Sequence, residues 1–217
     1  MVGSDQPSTT PKGEAMGHTR FEFGEYLAVV EAATSKLEGF QVVPRVWDKD
    51  PSVWKQDLEH VENSLGWLDL PESMREQVPA LKVFAQEICD AGFQHVVVLG
   101  MGGSSLASAA LRQAFGISHK YPELLVLDST VPVWVEAVAA YIDPAKTLFL
   151  VSSKSGTTVE PLAQYRHFLN LVEQAVGLEN AGRSFVAITD PGTELERLAH
   201  EKGFRTVFLN RPDVGGR

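Results

Sequence analysis

The sequence predicts an α/β fold, a doubly wound five-stranded parallel sheet flanked by helices and preceded by a helical lead-in segment. Three observations carry that prediction. Five short apolar runs rich in β-branched residues occur at His95–Gly100, Leu124–Leu127, Thr147–Val151, Ser184–Thr189 and Arg205–Leu209. Helix-length segments lie between them, at Ser105–Phe115, Val133–Tyr141, Val159–Val176 and Glu194–Lys202. The runs are apolar on both faces, so each strand needs cover on both sides, which crossover helices between parallel strands supply.

The residues before this alternation read differently. Residues 1–19 are rich in Ser, Thr, Pro and Gly with little apolar periodicity, as in a disordered tail or leader. Residues 20–92 form the helical lead-in, and residues 93–217 the α/β domain. Within the lead-in, Phe23, Leu27, Val30 and Leu37 recur at helical spacing, predicting a helix from Phe21 to Leu37 that stops near Gly39. Gln41–Pro51, with Pro44 and Trp47, reads as an extended connector. Ser52 opens a second helix toward Leu65, and a third runs from about Pro71 to Ala91 and ends at Gly92.

Composition excludes several functions. The 217 residues carry 19 basic and 28 acidic side chains, a net charge of −9, with no long Lys/Arg run to serve as the footprint of a nucleic-acid or anionic-membrane binder. No apolar stretch approaches the roughly 20 residues needed to cross a bilayer, and the single cysteine, Cys89, forms neither an internal disulfide nor a cysteine-based zinc site. A cytoplasmic location is the default expectation. The charge is uneven: residues 1–92 hold 8 basic and 16 acidic groups, residues 93–217 hold 11 and 12. An anionic ligand is therefore expected on the second part.

Ligands of such sheets bind outside the carboxyl ends of the strands, near the switch in strand order. The loop after the first strand is Gly100-Met101-Gly102-Gly103-Ser104-Ser105, leading into a helix. Its glycines permit a sharp turn and close backbone approach, and a helix start favours an anion. Ser105 stands where a dinucleotide motif needs its last glycine, and no Gly-Lys-Ser/Thr follows as in a P-loop. Read alone, the loop also admits the lesser alternative of a glycine turn that simply packs helix against strand.

The loop after the third strand, Ser152-Ser153-Lys154-Ser155-Gly156-Thr157-Thr158, concentrates five hydroxyls and an ammonium at a strand-to-helix junction. Hydroxyls and backbone N–H groups can surround a phosphate monoester without a metal, with Lys154 as the compensating charge. A Ser/Thr-rich helix cap, with Thr157 and Glu160 at capping-box spacing, accounts for one or two of the hydroxyls but not five. Asp128-Ser129-Thr130 and Asp190-Pro191-Gly192-Thr193 read as local turns and caps, the latter with Thr193 and Glu196 again at capping-box spacing. From spacing alone, Arg217 reads either as a solvated tail or as a cation aimed at the strand ends by Gly215 and Gly216.

Taken together, LGMGGSSL at 99–106, VSSKSGTT at 151–158 and NRPDVGGR at 210–217 resemble the glucose-6-phosphate isomerase family, built from sugar-isomerase (SIS) domains. The resemblance covers roughly residues 40–217. The strings VWDKDPSVW and LGWLDLPESM are most similar to bacterial isomerases fused behind transaldolase. The resemblance implies reversible conversion of glucose 6-phosphate and fructose 6-phosphate without metal or organic cofactor. It places the substrate phosphate on Gly103, Ser104, Ser153, Lys154, Ser155 and Thr158, with Ser155 replacing the family's usual threonine and keeping its hydroxyl. Arg217 falls on the arginine that stabilises the enediolate. The glutamate base, histidine and lysine of the family lie beyond this motif, which implies a first SIS domain, inactive alone; Glu160, Asp128 and Asp213 are the nearest carboxylates but match no motif for the base. Two alternatives stay open: a non-catalytic sugar-phosphate-binding module, or another SIS-family sugar-phosphate isomerase. The implied partners are a small sugar phosphate and, for the full-length protein, a second copy in a homodimer, with no nucleic acid and no membrane.

Overall fold

The structure, a computed structural model, describes residues 22–54, 61 and 64–215. The chain divides at Asp48/Lys49 into two compact units. In the first, helix α1 (Leu27–Gly39) is followed by α2 (Val42–Trp47). The expected extended connector is thus helical over most of its length. Pro44 is compatible with this because it sits in the first turn, where its missing N–H has no intrahelical role.

The second unit contains the predicted sheet. Its strands are β1 (His95–Gly100), β2 (Glu123–Leu127), β3 (Thr147–Ser152), β4 (Phe185–Thr189) and β5 (Thr206–Leu209), all parallel, in the order β2-β1-β3-β4-β5. Each lies within a residue of its predicted limits. The helices are α3 (Val78–Asp90), α4 (Gly103–Phe115), α5 (Pro132–Tyr141), α6 (Val159–Val176) and α7 (Glu194–Glu201). The long helix expected over 71–91 is broken: a turn at Leu70–Ser73 and a 3₁₀ turn at Met74–Gln77 precede α3. Pro79 explains the restart, since inside a continuous helix its ring would strike the carbonyl of residue 75. The helix expected from Ser52 begins as a 3₁₀ turn at Pro51–Val53, capped by Asp50, and Leu65 at its predicted end pairs with Val214 in an antiparallel bridge. Its middle lies largely outside the described residues, as do the leader at 1–19 and Phe21.

Alternate residues of the strands feed two cores. Val97, Leu99, Phe149, Val151, Phe185 and Ala187 face α5, α6 and α7 and form the larger one. Phe149 anchors it, stacked on Phe168 at 4.9 Å and on Phe185 at 5.1 Å between ring centroids. On the other face Leu148 and Val186 pack beneath Ile88 and Phe84 of α3. Because the chain steps from β1 outward to β2 and then back past β1 to β3, right-handed crossovers put α4 and α5 on opposite faces. The reversal lies between β1 and β3, so their carboxyl ends open a crevice where loops diverge.

Candidate functional site

Gly100, the last residue of β1, is the register partner of Ser152, the last of β3. The glycine loop and the hydroxyl loop therefore leave the sheet side by side at the switch point. In the glycine loop, Gly102 takes φ +54°, and a Cβ there or at Gly103 would meet no described atom within 4 Å. The backbone is consequently open to an approaching group. Gly100 is packed closely instead, since a Cβ would lie 3.1 Å from the Ser104 carbonyl oxygen. α4 starts at Gly103, two residues earlier than expected. This puts Ser104 in the first turn, half-buried, while the Ser105 hydroxyl is buried and donates to the Gly102 carbonyl at 3.1 Å.

In the second loop Ser153 is buried, and its amide donates to Ile188 O at 3.0 Å, extending the β3–β4 ladder by one residue. Its hydroxyl donates to Thr158 Oγ1 at 2.9 Å, which leaves the Thr158 hydroxyl hydrogen available to a ligand. Ser155 is exposed, with its hydroxyl 3.0 Å from that of Thr157 and accepting from the Thr157 amide at 3.3 Å. The alternative reading, a Thr157–Glu160 capping box, does not form among the described residues. Thr158 is the N-cap of α6 and makes no side-chain cap hydrogen bond within the described structure. The 18-residue α6 thus presents a first turn whose N–H groups and positive dipole end suit an anion.

The hydroxyl loop is braced by the loop after β4. Gly156 (φ +68°) backs onto it so tightly that a Cβ would come within 2.7 Å of Thr193 Cβ and 2.9 Å of Leu195 N. The Thr189 hydroxyl and the Asp190 amide both donate to the Lys154 carbonyl, at 3.3 and 3.1 Å. Lys154 Nζ pairs with Asp190 Oδ2, and Asn210 donates to Asp190 Oδ1 at 3.3 Å. Thr193 caps α7 as expected, accepting from the Glu196 amide at 3.3 Å; the Glu196 carboxylate reaches back to the Gly192 amide at 2.6 Å.

The segment after β5 is clamped onto residues 64–73. Gly66 N donates to Asp213 O at 2.7 Å, and a Cβ at Gly66 would strike the Asp213 carboxylate. Arg211 donates to Asp213 (Nε to Oδ1, 3.0 Å), pairs with Asp69 at 3.4 Å and reaches the Ser73 hydroxyl at 3.3 Å. The Arg211 guanidinium holds the Asp213 carboxyl below the usual carboxylate range, and the hydrogen bond from Lys49 does the same for Asp69.

Of the predicted site residues, Gly103 and Ser104 open α4 directly after the glycine loop, and Ser153, Lys154, Ser155 and Thr158 lie in the hydroxyl loop, both at the β1–β3 switch. Arg217 lies outside the described residues. Asp213 is committed to Arg211, Asp128 is exposed, and Glu160 sits half-buried in the first turn of α6. Sequence reasoning missed the Lys154–Asp190–Asn210 chain and the clamp on Arg211 and Asp213. Both join residues far apart in the chain, and no local spacing announces them. Two open clefts, about 300 Å³ beside Glu136, Gln164 and His167 and about 410 Å³ beside His200 and Arg205, contain none of the predicted site residues. Among the described residues no group of three or more His, Cys, Asp or Glu is placed to hold a metal ion, and no helix is long and apolar enough to cross a membrane.

Comparison with known proteins gives concordant results. The family model for phosphoglucose isomerase matches residues 74–217. A glucose-6-phosphate isomerase of Staphylococcus aureus (strain NCTC 8325) is 34% identical over 159 residues, 70% of this chain and 36% of that protein. A crystal structure of a hypothetical protein from Thermus thermophilus superposes with a TM-score of 0.70 at 28% identity, covering 88% of this chain and 43% of that one. A glucose-6-phosphate isomerase from Chlamydia trachomatis gives 0.57 at 27% identity, over 80% and 31% of the respective chains. The chain thus spans about a third of the length of the curated relatives it matches.

Proposed function

The chain belongs to the phosphoglucose isomerase family, and from that premise we propose that residues 93–217 form a SIS domain that binds the phosphate of glucose 6-phosphate or fructose 6-phosphate. The observation that carries this reading is the pairing of Gly100 with Ser152, which sets a glycine loop and a hydroxyl loop together at the sheet's switch point. The phosphate is held by the backbone at Gly103 and by Ser104, Ser155 and Thr158, with Ser153 orienting the Thr158 hydroxyl and Lys154 supplying countercharge. Thr158 and the first turn of α6 add donors that the described residues leave uncapped.

Holding the phosphate fixes a part of the substrate that does not react, so its binding energy goes into placing carbons 1 and 2. Arg217 then stabilises the enediolate that forms when a proton leaves one of these carbons. The transfer needs a base within hydrogen-bond reach of that proton. Asp213 is a poor base while it is ion-paired to Arg211. We read the 217-residue chain as binding sugar phosphate without isomerising it alone, in a cytoplasmic protein that acts as a homodimer.

The test is a titration of the purified chain with fructose 6-phosphate alongside an assay for glucose 6-phosphate formation. Binding without conversion is the expected result. Absence of binding refutes the sugar-phosphate reading, and steady turnover refutes the dependence on further residues.

A further inference from the structure

Lys154 carries the one ammonium in the hydroxyl loop, and it is not left to find its own orientation. Its Nζ pairs with Asp190, and its carbonyl receives hydrogen bonds from the Asp190 amide and the Thr189 hydroxyl. Asp190 is the better-buried partner, with its side chain 17% exposed against 37% for Lys154. Its second oxygen is occupied by the Asn210 amide. Both ends of Lys154 are thus fastened to one residue of the neighbouring loop, and that residue is fastened to the segment following β5.

We propose that Asp190 is a positioning residue for the phosphate site, holding the Lys154 ammonium over the hydroxyl loop and tying that loop to Asn210 at the start of the segment leading to Arg217. The proposal rests on the sugar-phosphate reading above and adds a residue that the loop motifs do not contain. An ammonium has three N–H donors; one serves Asp190 and two remain for phosphate oxygens. A free lysine samples many rotamers and loses that freedom on binding, whereas one already held by a carboxylate has little left to lose. The carboxylate can do this because Asn210 fixes its own orientation. Asp190 touches no reacting atom and acts through Lys154.

The experiment is a calorimetric titration of fructose 6-phosphate into the whole 217-residue chain and into Asp190→Ala, Lys154→Ala and the double variant, with thermal melts of each. Asp190→Ala should weaken binding by about tenfold, the scale of one charge-assisted hydrogen bond. The double variant should bind no more weakly than Lys154→Ala alone, because nothing remains to be positioned. A purely structural role would instead lower affinity in both backgrounds by the same factor. Should Asp190→Ala fail to fold, Asp190→Asn keeps the shape and a contact to Asn210 while removing the charge, and it should weaken binding in the same way. Unchanged or tighter binding, or multiplicative losses in the double variant, would overturn the proposal. Failure of the unsubstituted chain to bind would instead count against the sugar-phosphate reading itself.

Discussion

Replacing Gly156 with alanine tests how firmly the hydroxyl loop is seated. Two costs combine. Gly156 has φ +68°, where an L-residue is disfavoured by roughly 1 kcal/mol. The new methyl would also lie 2.7 Å from Thr193 Cβ and 2.9 Å from Leu195 N. Neither neighbour is the free end of a flexible chain. Thr193 is held by the Glu196 amide and by the Thr189 hydroxyl at 2.8 Å, and Leu195 N is backbone at the start of α7. Overpacking of this kind costs about 1–3 kcal/mol, for a total of ~3 kcal/mol. Gly192 provides the control: its φ is +78°, but a Cβ there would meet no described atom within 4 Å, so Gly192→Ala should cost only about 1 kcal/mol. In urea denaturation, with a slope of ~2 kcal/mol/M, the midpoint should fall by roughly 1.5 M for Gly156→Ala and about 0.5 M for Gly192→Ala. Equal shifts for the two variants would show that the loop does not bear on Thr193, and the close packing described above would be refuted.

Further outcomes follow from the same structure. Gln164, buried on α6, donates to the carbonyls of Leu127 and Ser129 at 3.2 and 3.0 Å, so Gln164→Leu should cost about 2 kcal/mol in the same denaturation assay by stripping both acceptors. The lowered carboxyl pKa values of Asp213 and Asp69 mean that the unfolded chain takes up their protons first on acidification. Their contribution to stability is complete above the ordinary carboxylate range and is lost as pH falls through the lowered folded values. Arg211→Ala should therefore flatten the acid limb of a stability-versus-pH curve, and an unchanged limb would show that the clamp contributes nothing.

The parts of the fold that were legible in the sequence are those whose burial is local. Each strand is an apolar run because both faces are covered, and Val97, Leu99, Phe149 and Val151 on one face alternate with Val96, Leu148 and Leu150 on the other. Such runs have only one comfortable place. The lead-in was less legible because proline has two readings there. Pro44 is accommodated in a first helical turn, whereas Pro79 forces a new helix to start. At α6 the capping spacing of Thr157 and Glu160 was misleading. Thr157 spends its hydroxyl on Ser155, and Thr158 takes the cap position while its own oxygen accepts from Ser153. The hydroxyl loop could be picked out by residue type alone, but its support could not. Asp190 looks like a turn residue until β4 is laid beside β3, and only the paired sheet brings it to Lys154. The same holds for Asp69 and Gly66, which meet Arg211 and Asp213 across most of the domain's sequence.

Under the proposed function, the hydroxyl loop at the β1–β3 switch holds a phosphate monoester. Ser155 is an exposed test point, since a substitution there leaves the Ser153–Thr158 contact in place. Calorimetric titration of fructose 6-phosphate into the unsubstituted chain and into Ser155→Asp is the direct measurement. The first should bind and the second should not, through repulsion between the new carboxylate and the phosphate dianion. Equal affinity for both would remove this loop from the site.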